Sequence, residues 1–328
     1  MTATSDWPGP PIEVIGMGMD AGALGRAARA ALERAELVIG APAHLAAFPE
    51  LAAEQRPYPS PMSGLWELLR ANAGRRIVLL ASGDPLFYGI SNTLLRHLPP
   101  EHLVFHPNVS SIQAAFARLG RPWQQAELLS LHGRPLAGLR AVLRGNRCYG
   151  LLTDRESAPT AIARVLVETG FGESALWVAE DLGAANERFR SFHAAALAET
   201  DTEFSLLNVV LLETRGPGGV LPEFPGIPDA WFSTGAEPGK GLLSKREVRL
   251  MILSLLAPRA GETGWDVGAG CGGVSVEWAR WNPEGEVHAV ECHPERLEHL
   301  GINRERFGVV ANLHIVAGHA PEALADRP

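Results

Sequence analysis

The residues with the clearest chemical meaning lie in a glycine-rich turn between an apolar stretch and a predicted helix. The turn reads Asp266-Val267-Gly268-Ala269-Gly270-Cys271-Gly272-Gly273, and a second apolar stretch ends in Glu291. Glycines at these positions allow the backbone to approach a ligand in conformations that a side chain would forbid. An acid at the end of the second strand stands where a ribose diol is usually held. The pattern predicts a site for an adenosine-containing cofactor.

Two cofactors compete for this turn. Gly268, Gly270 and Gly273 also satisfy the GxGxxG spacing of proteins that bind NAD(P). A pyrophosphate, however, needs free backbone N–H groups and no nearby anion, and Asp266 stands two residues before the first glycine. An acid there suits S-adenosylmethionine (SAM), whose methionine end carries an ammonium group and whose sulfonium is cationic. We therefore expect SAM, with NAD(P) and a purely structural turn as the alternatives.

Composition argues against several classes of protein. The 328 residues carry a formal net charge of −8, which is unlike the basic surface of a general nucleic-acid binder. The 3 cysteines are too few and too scattered for a disulfide framework. No apolar stretch reaches the ~18 residues that a membrane helix needs, and the first residues lack the pattern of a signal peptide. We expect a cytoplasmic protein that binds neither nucleic acid nor a membrane.

The chain divides at a segment rich in glycine and proline, residues 215–230. Such a segment cannot sustain a helix or an inner strand and is typical of a linker. Residues 11–214 alternate short apolar runs with Ala/Leu/Arg-rich segments, which indicates a mostly parallel sheet covered by helices. Residues 231–328 accommodate about half of the seven strands usual in a SAM-binding sheet of this kind. We therefore expect a truncated domain with an unpaired sheet edge.

Four polar clusters follow predicted strands of the N-terminal part. They are Gly16-Met17-Gly18, Ser82-Gly83-Asp84-Pro85-Leu86, Asn108-Val109-Ser110-Ser111 and Leu131-His132-Gly133-Arg134. Taken singly, each cluster is explained by a turn or a helix cap. Together they place polar loops at the carboxyl ends of several strands, which is where open α/β sheets bind ligands.

This combination resembles the tetrapyrrole (corrin and porphyrin) methylase family over roughly Pro11 to Glu213. The resemblance implies a fold of two α/β subdomains that binds SAM without the Rossmann fingerprint. It also implies a set of residues along the SAM site: Gly83, Asp84, Pro85, Leu86, Ser110, Ser111 and Leu152. The serine loop departs from the family's usual Pro-Gly-x-Ser-Ser, because Asn108 stands in place of the glycine.

The C-terminal part resembles the class I, Rossmann-like SAM methyltransferase that follows such a domain in the precorrin-6Y C5,15-methyltransferase (decarboxylating) family. Leu243 to Arg249, the glycine turn, Glu291 and Gly318 to Leu324 carry this resemblance. It implies a cofactor contact at Gly318, and His319 replaces an acid that the family usually has there. We thus expect an α/β protein, with an N-terminal two-subdomain tetrapyrrole methylase fold and a partial Rossmann-like class I sheet.

The resemblance also implies a reaction: SAM-dependent methylation of a corrin precursor, precorrin-6B, at meso carbons 5 and 15 in cobalamin (vitamin B12) biosynthesis. One acetate side chain loses its carboxyl group. Methyl transfer needs alignment more than proton chemistry, so we assign no catalytic side chain and no metal. The tetrapyrrole carries many carboxylates, and we expect Arg134, Arg155 and Lys245 to contact it, together with the turn at Gly16 and Gly18. We also expect a homo-oligomer.

Other functions stay open as alternatives. A SAM-dependent methylase of RNA or protein would need a basic groove, and the sequence shows no Lys/Arg run. An NAD(P)-linked oxidoreductase leaves Asp266 and the N-terminal clusters unexplained. A zinc site at His288, Cys292 and His293 lacks the usual ligand spacing. A C-terminal half that serves only in docking or oligomerisation predicts that removing the residues beyond Pro228 changes the oligomeric state.

Overall fold

The computed structural model describes residues 7–216, 218, 221–222, 224–235 and 243–325. The chain forms two compact units. The first comprises residues 1–125, 178–190 and 207–211, and the second comprises residues 126–177, 191–206 and 212–328. Within the described part of the chain, no helix is both long and apolar enough to cross a membrane.

The first unit is built on a five-stranded parallel sheet. Its strands are β1 (Ile12–Gly16), β2 (Leu37–Gly40), β3 (Glu54–Pro57), β4 (Ile77–Ala81) and β5 (Leu103–His106). They lie in the order β3-β2-β4-β1-β5. Every residue of β4 is buried, and its alternate side chains join two separate apolar clusters: Ile77 and Leu79 in one, Val78 and Leu80 in the other. The sheet is therefore covered on both faces, as the apolar runs predict.

A second five-stranded sheet follows. Its strands are β6 (Glu127–Ser130), β7 (Cys148–Leu152), β8 (Ala175–Glu180), β9 (Arg188–His193) and β10 (Asn208–Glu213). They lie in the order β6-β7-β10-β8-β9. The edge strand β9 reads Arg-Phe-Arg-Ser-Phe-His, and its arginines Arg188 and Arg190 bond the fully buried Glu180. A strand of this composition is not visible as an apolar run.

The third sheet belongs to the C-terminal part. It contains β11 (Thr263–Val267), β12 (Glu286–Glu291) and β13 (Leu313–Ala317), all parallel and in the order β11-β12-β13. Gly264 on β11 is required by packing, because a Cβ there would lie 1.9 Å from the ring of Trp278. The consecutive strand order brings the ends of all three strands to one edge of this sheet.

Eleven α-helices connect the described strands. They are α1 (Arg26–Arg34), α2 (Pro42–Leu45), α3 (Leu65–Ala71), α4 (Ser91–Leu95), α5 (Ser111–Leu119), α6 (Leu139–Val142), α7 (Pro159–Glu168), α8 (Ala194–Ala198), α9 (Arg246–Leu256), α10 (Gly273–Trp281) and α11 (Pro294–Arg306). α5 begins directly after Ser110, because Ser110 and Gln113 form a reciprocal capping box. It ends at Gly120, which has a left-handed backbone conformation.

The predicted linker at residues 215–230 falls partly outside the described residues, which omit 217, 219, 220 and 223. Its later residues are packed against the C-terminal part. Ile227 is fully buried, and its backbone N–H donates to the carboxylate of Glu277 at 2.7 Å. The neighbouring Gly226 donates to the same carboxylate at 3.1 Å. This end of the segment is therefore anchored to α10.

Candidate cofactor and substrate sites

The predicted cofactor turn follows β11 and leads directly into α10. The backbone N–H groups of Gly268 and Ala269 donate to the carbonyl of Val290 on β12, at 2.9 and 3.0 Å. The backbone N–H of Gly270 donates to the carboxylate of Glu291 at 2.8 Å. The turn is thus tied to the end of the neighbouring strand, and this places the glycines and Glu291 in one site.

Three glycines of the turn have backbone conformations that favour glycine. Their φ angles are +82° at Gly268, +58° at Gly270 and +84° at Gly272. At Gly272 a Cβ would also lie 2.3 Å from Cδ1 of Leu300 on α11, whereas around Gly268 nothing lies within 4 Å of the Cβ position. Gly272 therefore serves helix packing, and Gly268 leaves the space through which a ligand can approach the backbone.

Glu291 ends β12 as a buried carboxylate with fixed partners. One of its oxygens accepts the N–H groups of Cys292 and His293, at 2.8 and 3.0 Å, and Arg296 lies 3.7 Å away. Burial alone would raise the pKa of Glu291. The N–H bonds from His293, Cys292 and Gly270 outweigh that effect and hold the pKa below its ordinary value. Glu291 is therefore an ionised hydrogen-bond acceptor at neutral pH.

Asp266 lies next to the end of β11 and accepts a hydrogen bond from the hydroxyl of Ser275 on α10. Burial raises the pKa of Asp266, and the negative charge of Glu291 adds to this rise. Two acids thus stand at the ends of neighbouring strands and disfavour each other's charge. A cationic ligand beside them would relieve that repulsion.

Gly318 completes this edge of the third sheet. It follows β13, and its backbone N–H donates to the carbonyl of Glu291 at 3.0 Å. Its φ is +147°, and a Cβ would lie 3.1 Å from Cβ of Ala323. The structure therefore brings Asp266, the glycine turn, Glu291 and Gly318 to the same end of the third sheet.

One group of possible metal ligands occurs among the described residues. The side chains of Glu291, Cys292 and His293 have potential ligand atoms within 4.8 Å of one another. Both oxygens of Glu291 already accept backbone N–H groups. This carboxylate is arranged as a hydrogen-bond acceptor rather than as an open metal ligand.

Lys245 stands before the first residue of α9, and its side chain is largely exposed. Its Nζ lies 3.7 Å from a carboxylate oxygen of Asp229.

The more constrained residue of this segment is Arg249, which is fully buried. Its guanidinium donates to Asp229 at 2.7 Å and contacts Glu277 at 3.4 Å. Phe232 lies against it, with 4.8 Å from the guanidinium carbon to the ring centre. Sequence reasoning does not find this ion pair, although an arginine inside an apolar helix is a signal for one.

In the first unit, the ends of β1 and β4 meet at two glycines. The N–H of Gly18 donates to the carbonyl of Gly83 at 3.1 Å, and both residues are left-handed, with φ of +59° and +58°. A Cβ on Gly16 would lie 2.6 Å from the Gly83 oxygen, and a Cβ on Gly18 would lie 2.6 Å from Oδ1 of Asn108. A close backbone contact therefore explains glycine at 16, and the Asn108 side chain together with the left-handed φ explains glycine at 18.

Asn108 has a structural role that the sequence does not reveal. Its Nδ2 donates to the carbonyl of Gly16 at 2.9 Å, and its Oδ1 accepts the N–H of Val109 at 2.8 Å. Asn108 is not among the residues with positive φ. The departure from the family's glycine thus provides a side chain that ties the loop after β5 to the end of β1.

The turn after β4 contains the other predicted cofactor residues of this unit. Asp84 accepts the N–H of Leu86 at 2.8 Å, which closes the turn around the buried Pro85. The side chain of Leu86 is 55% exposed. A Cβ on Gly83 would lie 3.4 Å from Cα of Ser110, so this turn packs against the serine loop. Because the hydroxyl of Ser110 accepts the N–H of Gln113, it is committed to capping α5, which begins at Ser111.

Leu152, Arg134 and Arg155 lie at the carboxyl ends of the paired strands β6 and β7, or a few residues after them, in the second unit. The carbonyl of Leu152 accepts the N–H of Leu131 at 2.8 Å. Asp154 accepts the N–H of Gly133 at 2.7 Å, and hydrogen bonds, led by the Ser157 hydroxyl, lower the pKa of Asp154 to about 2. Arg134 and Arg155 adjoin these bonded residues, and both are exposed. The loops that carry Arg134 and Arg155 are thus joined by the hydrogen bond between Gly133 and Asp154.

Comparison with known proteins accounts for both halves of the chain. Residues 11–198 match the model of the tetrapyrrole (corrin/porphyrin) methylases, and residues 238–328 match a precorrin methyltransferase domain. The chain is 39% identical over 332 residues to the precorrin-6Y C(5,15)-methyltransferase (decarboxylating) of Sinorhizobium sp. This alignment covers 97% of the chain and 76% of the Sinorhizobium protein. The chain belongs to the precorrin-6Y C(5,15)-methyltransferase family.

Two further comparisons concern the N-terminal part of this family member. The cobalt-precorrin-7 C(5)-methyltransferase of Salmonella typhimurium is 32% identical over 189 residues, which is 58% of this chain and 92% of that protein. The crystal structure of the methyltransferase CobJ superposes with a TM-score of 0.53 and 21% identity, covering 64% of this chain and 98% of that one. The predicted family and the predicted α/β fold are both confirmed.

Proposed function

We propose that this protein is a SAM-dependent C-methyltransferase of cobalamin biosynthesis. It methylates a corrin precursor, precorrin-6B, at meso carbons 5 and 15 and removes the carboxyl group of one acetate side chain. The observation that carries the proposal is the match to a precorrin-6Y C(5,15)-methyltransferase (decarboxylating) over 97% of the chain. A methylase of RNA or protein and an NAD(P)-linked oxidoreductase have no comparable support.

The third sheet has the chemistry that SAM requires. Glu291 presents an ionised acceptor for the ribose hydroxyls, because three backbone N–H groups hold its carboxylate in place. Asp266 would pair with a cationic part of SAM, which would lower its raised pKa. Gly268 leaves room for the ligand beside the backbone. We assign Gly270, Gly272 and Gly318 to the same site.

A second SAM site is proposed in the tetrapyrrole methylase part. In the first unit it comprises Gly83, Asp84, Pro85, Leu86, Ser110 and Ser111, whereas the role of Leu152 in the second unit stays a prediction. We assign methylation of carbon 5 to this part, because a relative named for that reaction alone aligns over 189 residues, close to the span of residues 11–198. Methylation of carbon 15 and the decarboxylation then fall to residues 231–328.

The proposed chemistry asks the protein mainly to bind and to orient. A meso carbon of the macrocycle attacks the methyl group in line with the breaking sulfur–carbon bond, and holding the two atoms about 3–3.5 Å apart contributes several kcal/mol. In the decarboxylation, the electron pair of the breaking carbon–carbon bond enters the conjugated ring as carbon dioxide leaves, and the former side-chain carbon then takes up one proton from solvent to become a methyl group. We propose that Arg134, Arg155 and Lys245 hold substrate carboxylates, with Gly16 and Gly18 beside the substrate.

The mass of the tetrapyrrole product tests this proposal. Wild-type protein incubated with SAM and precorrin-6B is expected to add two methyl groups and release one carbon dioxide. Glu291→Gln is expected to add one methyl group and retain the carboxylate, because it affects only the C-terminal site. Loss of both methyl groups in this variant would contradict the two-site assignment. An unchanged substrate mass with the wild type would contradict the proposed function.

The organisation of the protein also stays a proposal. We place the tetrapyrrole methylase domain at residues 11–214, the linker at 215–230 and the class I domain at 231–328. The expected homo-oligomer is tested by light scattering of the whole chain and of a chain that ends at Pro228. An equal number of subunits in both would contradict a C-terminal half that serves only in oligomerisation.

A further inference from the structure

A histidine and a serine meet at the carboxyl end of the first sheet, among residues that have no role so far. His44 lies on the short helix α2, which follows β2, and Ser82 lies between β4 and Gly83. Ser82 Oγ is 3.4 Å from His44 Nε2. Ser82 is exposed and His44 is half-buried. The serine hydroxyl is therefore the exposed member of the pair, and the imidazole lies behind it.

The proposed reaction needs a proton acceptor at this edge. SAM transfers its methyl group as a cation, because the electron pair of the sulfur–carbon bond stays on sulfur. When that methyl group replaces a hydrogen on a meso carbon, the old carbon–hydrogen bond must break. Its electron pair returns to the conjugated ring, and one proton leaves for each methyl group added. Among the side chains already described, Asp84 and Ser110 accept backbone N–H groups, and the amide of Asn108 does not take up a proton at neutral pH. Histidine is the side chain best suited to this task near pH 7.

We propose that the pair formed by Ser82 and His44 accepts the proton released when the first unit methylates its substrate. This inference rests on the function proposed above. The proton passes from the carbon to the Ser82 oxygen while the hydroxyl proton of Ser82 moves to Nε2 of His44. The imidazolium then releases its proton to solvent, so that serine carries no charge at any stage. In this scheme Ser82 contacts the substrate, and His44 holds the charge.

The surroundings favour a neutral imidazole before the reaction. Burial lowers the pKa of His44, and the nearby Leu80 carbonyl offsets only part of this effect. The hydroxyl of Tyr58 donates to the same carbonyl at 3.1 Å, and burial raises the pKa of Tyr58, so this neighbour is neutral as well. The other charged side chains on elements next to α2 are Glu54 and Arg56 on β3, which bond each other, and Asp84 after β4.

The test uses the whole chain, with SAM and precorrin-6B, and follows methylation of carbon 5 by product mass between pH 5 and pH 8. His44→Gln and Ser82→Ala are each expected to slow this step by about 100-fold or more, with SAM affinity by calorimetry unchanged. The wild-type rate is expected to fall as the pH drops through the pKa of His44, below its ordinary 6.5. Imidazole added to His44→Ala is expected to restore part of the rate. His102→Gln is the matched control, since this histidine precedes β5 at the opposite edge of the sheet.

The outcomes separate this inference from the proposed function. An active wild type together with an unchanged rate and pH profile in His44→Gln would overturn the proton-acceptor role and leave the methyltransferase proposal standing. A slow variant that also loses SAM affinity and is not rescued by imidazole would show a structural role for His44 and would overturn it too. A wild type that transfers no methyl group would count against the proposed function instead.

Discussion

The buried ion pair between Arg249 on α9 and Glu277 on α10 is predicted to be among the most sensitive points of the C-terminal part. Neither side chain has exposed surface. Glu277 accepts N–H groups from Gly226 at 3.1 Å, Ile227 at 2.7 Å and the Trp281 indole at 3.0 Å. The pair thus joins α9 to α10, and Glu277 also holds the segment before α9 through Gly226 and Ile227.

The expected energies follow from which partners survive each substitution. Glu277→Leu leaves the Arg249 guanidinium buried with Asp229 as its remaining acid, and breaking a buried pair in this way costs ~3–5 kcal/mol. Arg249→Met leaves Glu277 with its three N–H donors, so a cost of about 3 kcal/mol is expected. The double variant leaves neither charge of the pair buried. Its cost should therefore be at least ~2 kcal/mol below the sum of the single variants.

Urea unfolding monitored by tryptophan fluorescence measures these differences, because Trp265, Trp278 and Trp281 all lie in the C-terminal part. The matched control is Glu247→Gln on the same helix. Its pair with Arg246 is largely exposed, so a change below ~0.5 kcal/mol is expected. Additive costs of Arg249→Met and Glu277→Leu, or a cost of Glu277→Leu no larger than that of the control, would show that the buried pair does not couple α9 to α10.

Three further changes probe other parts of the structure. Gly18→Ala is expected to destabilise the first unit by ~1–3 kcal/mol, because it places a Cβ 2.6 Å from Asn108 Oδ1 on a residue whose φ is +59°. Thermal melting measures this loss, and adding Asn108→Gly to the variant should recover part of it. The pKa of Glu291 is lowered in the folded protein, so this carboxylate contributes stability above pH 4.5, its ordinary pKa, and the contribution is lost as the pH falls further. The unfolding free energy of Glu291→Gln should lack this pH dependence. Parallel pH profiles of the variant and the wild type would contradict the prediction. Arg280→Met is expected to stabilise the protein by ~1 kcal/mol. In the described chain, Nε and Nη2 of Arg280 are buried without a hydrogen-bond partner, and burial lowers the pKa of this side chain to about 10. A lower melting temperature of the variant would contradict this prediction.

Local features of the structure could be predicted from the sequence because their causes lie within a few residues. Helix α5 forms at Ser111–Leu119, since the Ser110–Gln113 capping box and Gly120 set its two ends. The glycine turn after Asp266 adopts left-handed conformations for the same local reason. The edge strand β9 cannot be predicted in this way, because its residues Arg188–His193 form no apolar run and it is held by pairing with β8.

The family, the alternation of strands and helices, and the motifs at several strand ends can all be predicted from the amino-acid sequence alone. Which distant side chains meet is visible in the folded protein alone. Arg249 finds Asp229 and Glu277 across 20 and 28 residues, and His44 meets Ser82 across 38 residues. His44 and Ser82 meet because parallel strand order aligns the ends of segments far apart in the chain, and Arg249 meets Glu277 because α9 packs against α10. Helix and turn signals act over a few residues only, so they carry no information about those contacts.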